Sequence, residues 1–113
     1  MPARPAANRA ELVAGRRIVV KIGSSSLVDP AGSFSPARLG RLADAIADHI
    51  KGGRQVVVVS SGAQAAGLES LGLRRRPKGL AQAQAAASVG QGLLMAAYTA
   101  AFSARGLTVG QVL

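Results

Sequence analysis

The sequence contains no cysteine and no tryptophan, and aromatic residues make up only 3% of its 113 residues. The lack of cysteine excludes disulfide bonds, thiolate metal sites and cysteine nucleophiles, although it leaves the redox compartment undetermined. The scarcity of aromatic side chains removes the stacking platforms that hold single-stranded nucleic acid. A chain of this length buries one hydrophobic core, so we expect at most a single domain.

Acidic residues are also scarce, with 5 Asp and Glu against 14 Lys and Arg and a formal net charge of +9. Three kinds of partner have the complementary charge: nucleic acid, an anionic membrane surface and a small anionic substrate. The basic residues are dispersed except at residues 16–17 and 74–78, and a solvated basic turn is the simpler interpretation of the second group. We expect no nucleic acid partner for this part of the chain.

Long runs of strongly apolar residues are absent. A long stretch without a charged residue, residues 79–103, is rich in alanine and contains three glutamines, so it does not predict a membrane span. Residues 1–15 lack the apolar segment and the small-residue cleavage site of a secretory signal. We therefore expect a cytoplasmic protein with no membrane partner, in which residues 1–15 form a flexible leader and residues 16–113 form the domain.

Two short β-branched runs, residues 17–22 and 55–60, predict buried β-strands. The second contains four consecutive valines, a pattern typical of a strand that is buried on both faces of a parallel sheet. Between the strands, Ser35 and Pro36 predict the start of an amphipathic helix that ends at Gly52. These elements form a right-handed βαβ unit, whose two strands end at the same edge of the sheet.

The second half of the chain predicts two helices and a third strand. A short helix follows Ala63, a long one covers about residues 80–104, and residues 107–113 form the strand. Gly90 and Gly92 each cost about 1 kcal/mol relative to alanine inside a helix, and close approach of a neighbouring element would explain them. The expected fold class is α/β, with the element order β-α-β-α-α-β.

The loops that leave the first two strands, residues 23–26 and 60–63, are rich in glycine and serine. Open parallel sheets bind ligands at this edge, where backbone N–H groups, hydroxyls and helix N-termini suit an anion such as phosphate. Lys21 adds a positive charge two residues before Gly23. Alternatively, Gly23 and Gly62 only permit tight turns and Lys21 is a surface cation. Neither loop contains a P-loop or dinucleotide-binding fingerprint.

Four segments in register resemble the amino-acid kinase family, namely Val19–Leu27 (VVKIGSSSL), Val59–Gly67 (VSSGAQAAG), Ala87–Gln91 (ASVGQ) and Val109–Leu113 (VGQVL). The second segment resembles the members that phosphorylate the side-chain carboxylate of L-glutamate, giving glutamyl 5-phosphate in the first step of proline biosynthesis. The resemblance implies a parallel-sheet, three-layer sandwich. It also implies that residues 16–113 are a truncated kinase domain, the glutamate-side, N-terminal part.

Site residues follow from the same resemblance. Lys21 matches the catalytic lysine that contacts the nucleotide phosphates and stabilises the migrating phosphoryl group. The expected ATP and phosphate contacts are Lys21, Gly23, Ser24 and Ser25, and the expected glutamate contacts are Ser61, Gly62 and Ala63. ATP carries Mg²⁺ with it, and no protein metal ligands are expected. Gln64 departs from the apolar residue that the family usually has behind the glutamate loop.

Two hypotheses about function follow. The first is an incomplete, ATP-dependent amino-acid kinase that binds L-glutamate and ATP, forms a homo-oligomer as the full-length enzyme, and shows no turnover as the fragment alone because the ATP-binding half is missing. The second is a non-catalytic basic module for binding or assembly. It would use residues 74–78 and the alanine-rich helix to associate with an anionic or protein partner.

Overall fold

The computed structural model describes residues 4–75 and 77–112. Residues 1–3 of the expected leader, Arg76 of the basic turn and Leu113 of the expected third strand lie outside the described residues. The elements are α1 (Arg9–Ala14), β1 (Arg17–Ile22), a 3₁₀ turn (Ser24–Ser26), α2 (Pro36–Lys51), β2 (Gln55–Ser60), α3 (Ala63–Leu68) and α4 (Leu80–Ser103).

The predicted parallel strand pair is confirmed. β1 and β2 pair in parallel, with Arg17 opposite Gln55 at the start and Ile22 opposite Ser60 at the end. At the start of the pair, the Arg17 Nε–H donates to Gln55 Oε1 at 3.0 Å. Because the strands are in register, both leave the sheet at the same edge, and the loops that follow them begin side by side.

Helix α2 begins and ends as the sequence predicts. The Ser35 side chain accepts a hydrogen bond from the Arg38 backbone N–H at 3.3 Å, and Pro36 occupies the first helical position, where its missing N–H leaves no bond unmade. The buried residues are Leu39, Ala43, Ile46 and Ala47. They recur at helical spacing and form one apolar stripe, which packs on the sheet and on α4.

The sheet is covered on one face only within the described residues. Val56 and Val58 pack against the core, whereas Val57 and Val59 are about half exposed and Val19 is 64% exposed. The four valines therefore alternate between a covered face and an open face instead of being buried on both. The reason is that the described core helices, α2 and α4, pack on the same side of the strands.

The expected third strand is not formed in the described structure. Residues 107–112 have no strand assignment, and the Leu107 backbone N–H bonds to the Phe102 carbonyl at the end of α4. This segment borders an open groove of about 540 Å³, whose opposite wall includes β2. The groove separates the segment from β2, so the two backbones do not pair.

Helices α3 and α4 touch through their backbones. A Cβ atom on Gly90 would lie 1.5 Å from the Ala63 carbonyl oxygen, and one on Gly67 would lie 2.0 Å from the Ala86 carbonyl oxygen. A Cβ on Gly92 would meet nothing within 4 Å. Close approach therefore explains Gly90, as the sequence predicts, but it does not explain Gly92.

Helix α4 is the core helix of the described chain. Its buried residues follow one face at a spacing of four: Ala86, Gly90, Leu94, Tyr98 and Phe102. It is also the one described helix with the length and composition to cross a membrane, a criterion that core helices meet as well.

The N-terminal region, expected as a flexible leader, contains the short helix α1. The Asn8 side chain caps this helix by accepting a hydrogen bond from the Glu11 N–H at 2.9 Å.

Candidate functional site

The two glycine–serine loops lie against each other at the end of the strand pair. The Ser61 backbone N–H donates to the Ile22 carbonyl at 2.9 Å, which continues the strand pairing by one step. A Cβ atom added to Gly62 would lie 3.8 Å from the Ser24 Cα, so the gap between the two loops at this point is about wide enough for one methyl group. The structure therefore brings residues 23–26 and 60–63 together, as the βαβ unit predicts.

The first loop is held mainly by its own backbone. The Ser26 N–H donates to the Gly23 carbonyl at 3.0 Å, and the Leu27 N–H donates to the Ser24 carbonyl at 3.2 Å, forming the 3₁₀ turn. Leu27, only 1% exposed, anchors the end of the turn in the core. The three serines therefore lie on a short turn that is followed by a buried apolar residue, and the burial of that residue holds the end of the turn in place.

In addition to Lys21, a second positively charged residue, Arg38, lies beside the first loop. The Arg38 guanidinium Nη1 is 3.5 Å from the Ser25 carbonyl oxygen. No role for Arg38 is predicted from the sequence. Arg38 lies in the first turn of α2, the helix that follows the first loop. Because that turn begins next to the strand ends, the sequence position of Arg38 could have indicated that it lies near the loop.

The second loop depends on a glycine in a left-handed conformation. Gly62 has φ +107°, a backbone conformation that residues with a Cβ rarely adopt. It precedes the first residue of α3, and its carbonyl accepts from the Ala66 N–H at 3.0 Å. The turn at Gly62 brings the chain from β2 directly into α3, with Ser61 exposed at the corner.

Lys21 lies on the open face of the sheet, opposite Val59 in the strand register. Its neighbours along β1 on that face are Arg17 and Val19, because alternate residues of a strand point to the same side. Within the described residues, the Lys21 side chain forms no hydrogen bond or ion pair with the protein. Its charge is therefore free to interact with an anion near the strand ends.

Tyr98 reaches the second loop from α4. Its hydroxyl donates to Ser60 Oγ at 2.8 Å, and Ser60 Oγ donates to the Ser61 carbonyl at 2.9 Å. Burial raises the pKa of the Tyr98 hydroxyl, and the hydrogen bond to Ser60 partly opposes that shift. No role for Tyr98 is predicted from the sequence. The available signal was that a buried tyrosine hydroxyl needs a polar partner.

The two carboxylates with lowered pKa values are bonded away from the loops. The Arg105 guanidinium holds the pKa of Asp44 below its usual value through a 2.7 Å hydrogen bond. A backbone hydrogen bond from Ala7, assisted by Arg4, lowers the pKa of Glu11. In the described parts of the chain, no group of three or more His, Cys, Asp or Glu side chains has the arrangement of a metal site.

These features define an α/β protein with two adjacent glycine–serine loops and a free lysine where its parallel strands end. The family model described as "Amino acid kinase family" matches residues 16–113 of the chain. The chain therefore belongs to the amino acid kinase family, as the sequence resemblance predicts.

Curated relatives named "Glutamate 5-kinase" match most of the chain. The protein from Thermobifida fusca is 55% identical over 105 residues, which cover 93% of this chain and 27% of that protein. The one from Streptomyces avermitilis is 57% identical over 108 residues, covering 95% and 29%. The one from Streptomyces coelicolor is 59% identical over 98 residues, covering 87% and 26%. The chain thus spans less than a third of the length of these relatives.

Proposed function

We propose that this chain supplies the paired loops of an ATP-dependent kinase that phosphorylates the side-chain carboxylate of L-glutamate, the first step of proline biosynthesis. The observation that carries the proposal is the hydrogen bond from the Ser61 N–H to the Ile22 carbonyl, which holds the starts of the two loops side by side, with Lys21 next to Ile22 on β1. The identity of 55–59% to proteins named glutamate 5-kinase supports the choice of substrate.

The proposed residue roles follow from the charges of the reactants. The glutamate carboxylate attacks the γ-phosphorus of ATP, the bond to the β,γ-bridging oxygen breaks, and ADP leaves with that electron pair. Because both reactants are anions, the protein acts mainly by positioning them and stabilising charge. We assign the transferred phosphate to Lys21, the nucleotide phosphates also to Gly23, Ser24 and Ser25, and the glutamate to Ser61, Gly62 and Ala63.

The donor set of the loops suits phosphate better than a bare metal ion. Residues 23–26 and 60–63 offer hydroxyls and backbone N–H groups but no carboxylate. Mg²⁺ prefers oxygen ligands and is commonly held through substrate phosphates. We propose that Mg²⁺ enters with ATP, where it neutralises phosphate charge, while Lys21 and the loop N–H groups contact the oxygens that the ion leaves free.

Several broader features belong to the same proposal. Residues 16–113 form part of the kinase domain, after the N-terminal segment 1–15. The exposed Val57 and Val59 support a three-layer sandwich in the whole enzyme, in which further structure covers the open face of the sheet. We also propose a cytoplasmic location and a homo-oligomeric whole enzyme. Assayed alone, the 113 residues should bind ligand without turnover, because they span less than a third of the length of the relatives that they match.

A thermal unfolding series on the purified chain tests the proposal. L-Glutamate and Mg-ATP should each raise the unfolding temperature, because a ligand that binds only the folded state stabilises it by mass action. D-Glutamate should have a smaller effect. Lys21→Met should abolish the shift caused by Mg-ATP, whereas Lys78→Met, which removes an exposed lysine from the basic turn, should preserve it.

The same series distinguishes the basic-module alternative. Stabilisation by a polyanion such as heparin, lost in Lys78→Met and kept in Lys21→Met, together with indifference to L-glutamate and Mg-ATP, would favour that alternative. Indifference of the wild-type chain to both small ligands contradicts the kinase proposal at the level of binding. Turnover by the chain alone would contradict the expectation that it is inactive.

A further inference from the structure

Two consecutive hydrogen bonds, which share the Ser60 hydroxyl, connect the core helix α4 to the second loop. Tyr98, 5% exposed, donates its hydroxyl proton to Ser60 Oγ. A serine hydroxyl has one proton, so Ser60 remains free to donate, and it does so to the Ser61 carbonyl. The Tyr98–Ser60–Ser61 relay, as we name this pair of bonds, therefore has a defined direction from the core toward the loop.

The relay orients one particular peptide plane. The Ser61 carbonyl belongs to the peptide that joins Ser61 to Gly62, and in a trans peptide the C=O and the following N–H point in opposite directions. Holding that carbonyl therefore fixes the direction of the Gly62 N–H. At the other end of the same residue, the Ser61 N–H is held by the Ile22 carbonyl at 2.9 Å. Both peptide groups of Ser61 are thus constrained.

Tyr98 is itself held firmly. Its ring stacks with the Phe102 ring, with centroids 6.3 Å apart and planes 7° from parallel. Helix α4 is in turn seated against the start of α3, where Gly90 lies beneath the Ala63 carbonyl. A tyrosine hydroxyl is protonated throughout the neutral range and so able to donate, and burial shifts the pKa of Tyr98 further in the same direction.

We infer that Tyr98 is a positioning residue for the L-glutamate site, because through Ser60 it fixes the peptide whose Gly62 N–H meets a carboxylate of the substrate. This inference rests on the proposed function. It extends that function to a residue 35 positions beyond Ala63 in the sequence, on a different element. Tyr98 does not touch the substrate in this scheme. Its effect is carried by the Ser60 hydroxyl.

The experiment compares Tyr98→Phe, which removes only the hydroxyl, with Thr99→Val, which removes a hydroxyl from the next, exposed residue of α4. Isothermal titration of the 113-residue chain with L-glutamate and separately with Mg-ATP gives the two affinities. Tyr98→Phe should weaken L-glutamate binding about 3- to 10-fold, the range for one hydrogen bond, and leave Mg-ATP binding within about twofold. Thr99→Val should change neither affinity.

Substitutions of Ser60 test the middle of the relay. Ser60→Ala should weaken L-glutamate binding as much as Tyr98→Phe does, and Ser60→Thr, which keeps the hydroxyl, should restore most of the affinity. The double variant Tyr98→Phe/Ser60→Ala should be no weaker than Ser60→Ala alone, because the two residues act through one chain of bonds. Additive losses would overturn the relay.

The fluorescence of Tyr98 provides an independent readout. The chain has one tyrosine and no tryptophan, so its tyrosine emission reports on Tyr98 alone. L-Glutamate should change that emission in the wild-type chain, and the change should be much smaller in Ser60→Ala. An equal loss of affinity for L-glutamate and Mg-ATP in Tyr98→Phe, with a lower unfolding temperature, would indicate a merely structural role and overturn the inference.

Amide hydrogen exchange separates failure of this inference from failure of the proposed function. If the wild-type chain does not bind L-glutamate, the proposed function fails. In that case, hydrogen exchange at Gly62 in the chain without ligand tests the relay. Faster exchange at Gly62 in Tyr98→Phe, with no change in Thr99→Val, supports positioning of the loop by Tyr98. Unchanged exchange at Gly62 overturns it. If the wild-type chain binds L-glutamate and Tyr98→Phe binds it equally well, only the inference fails.

Discussion

The two loops at the strand ends are similar in composition, but they are held in different ways. The first loop is shaped by its own 3₁₀ turn and by the burial of Leu27 directly after it. The second is shaped from outside, by the backbone contact between Ala63 and Gly90 and by the hydrogen bonds that begin at Tyr98. Local hydrogen bonds therefore determine the conformation of the first loop, and tertiary contacts with α4 determine that of the second.

This difference has a consequence for how the site responds to change. A substitution on α4 should disturb the second loop, the proposed glutamate side of the candidate site, and leave the first loop, the proposed phosphate side, nearly intact. A substitution at Leu27, directly after the 3₁₀ turn, should disturb the first loop and leave the second loop nearly intact. Gln64 strengthens the dependence of the second loop on α4, because its side-chain amide donates to the Ala83 carbonyl at 3.4 Å.

The largest effect is expected for Gly90→Ala. The added methyl group would lie 1.5 Å from the Ala63 carbonyl oxygen, and two helix backbones cannot yield as a flexible side chain can. We expect a loss of at least about 3 kcal/mol in unfolding free energy, measured by urea titration, and a selective rise in hydrogen exchange at residues 61–66.

Gly92→Ala is the matched control for this first prediction. It lies two residues away on α4, in open space, and should stabilise the chain by up to about 1 kcal/mol through helix propensity. Equal stability of the Gly90→Ala and Gly92→Ala variants would show that α4 does not support the second loop through this contact.

Leu27→Ala tests the other side of the comparison. Removing this buried side chain leaves a cavity under the first turn, and such substitutions cost about 2–5 kcal/mol. Exchange should rise first at residues 24–27 rather than at 61–66. Leu12→Ala, at a side chain that is 57% exposed, should cost far less. A uniform rise of exchange in both loops would mean that they open as one unit.

Gly62→Ala should have a smaller effect, about 1–2 kcal/mol, because a residue with a Cβ is strained at φ +107° while the nearest atoms leave room for the methyl group. Gly79→Ala is the control, since Gly79 has φ −83° and nothing within 4 Å of an added Cβ. Chemical denaturation measures both. If the two variants are equally stable, the left-handed conformation of Gly62 carries no cost.

The features of the fold that depend on local sequence pattern could be predicted from the sequence. The β-branched runs predicted β1 and β2 at their observed bounds, and the Ser35–Pro36 pair predicted the start of α2. The parallel order then placed both loops at one edge, because a βαβ crossover allows no other arrangement of the strand ends. These predictions rest on spacing within a few residues or on a topological rule, and both can be read without coordinates.

What could not be predicted depends on how elements are rotated against each other. Gly90 and Gly92 look alike in sequence, and only the rotation of α4 about its axis decides which one faces α3. The same rotation brings Tyr98 beneath Ser60. The valines of β2 predicted burial on both faces, but burial also requires a covering layer, and strand residues cannot supply one.

The smallest effect is expected for Asp44→Asn, which perturbs α4 at its far end, away from both loops. Arg105 lowers the pKa of Asp44 from 3.8, so the folded protein favours the carboxylate more than the unfolded chain does. The resulting stabilisation is complete above pH 3.8 and is lost as the pH falls through the lower, folded-state value. Asp44→Asn should therefore be slightly less stable than wild type at neutral pH, and the difference should close in acid.

Asp48→Asn removes the same charge from the same helix, where the described residues show no ion pair, and so controls for net charge. Denaturant titrations at neutral and acidic pH give the differences. Hydrogen exchange in both loops should be unchanged in Asp44→Asn, because Arg105 still bonds to the Gly40 and Ala101 carbonyls and keeps the end of α4 against α2. Faster exchange in the second loop alone would show that its support extends along the whole of α4, beyond the contacts at Gly90 and Tyr98.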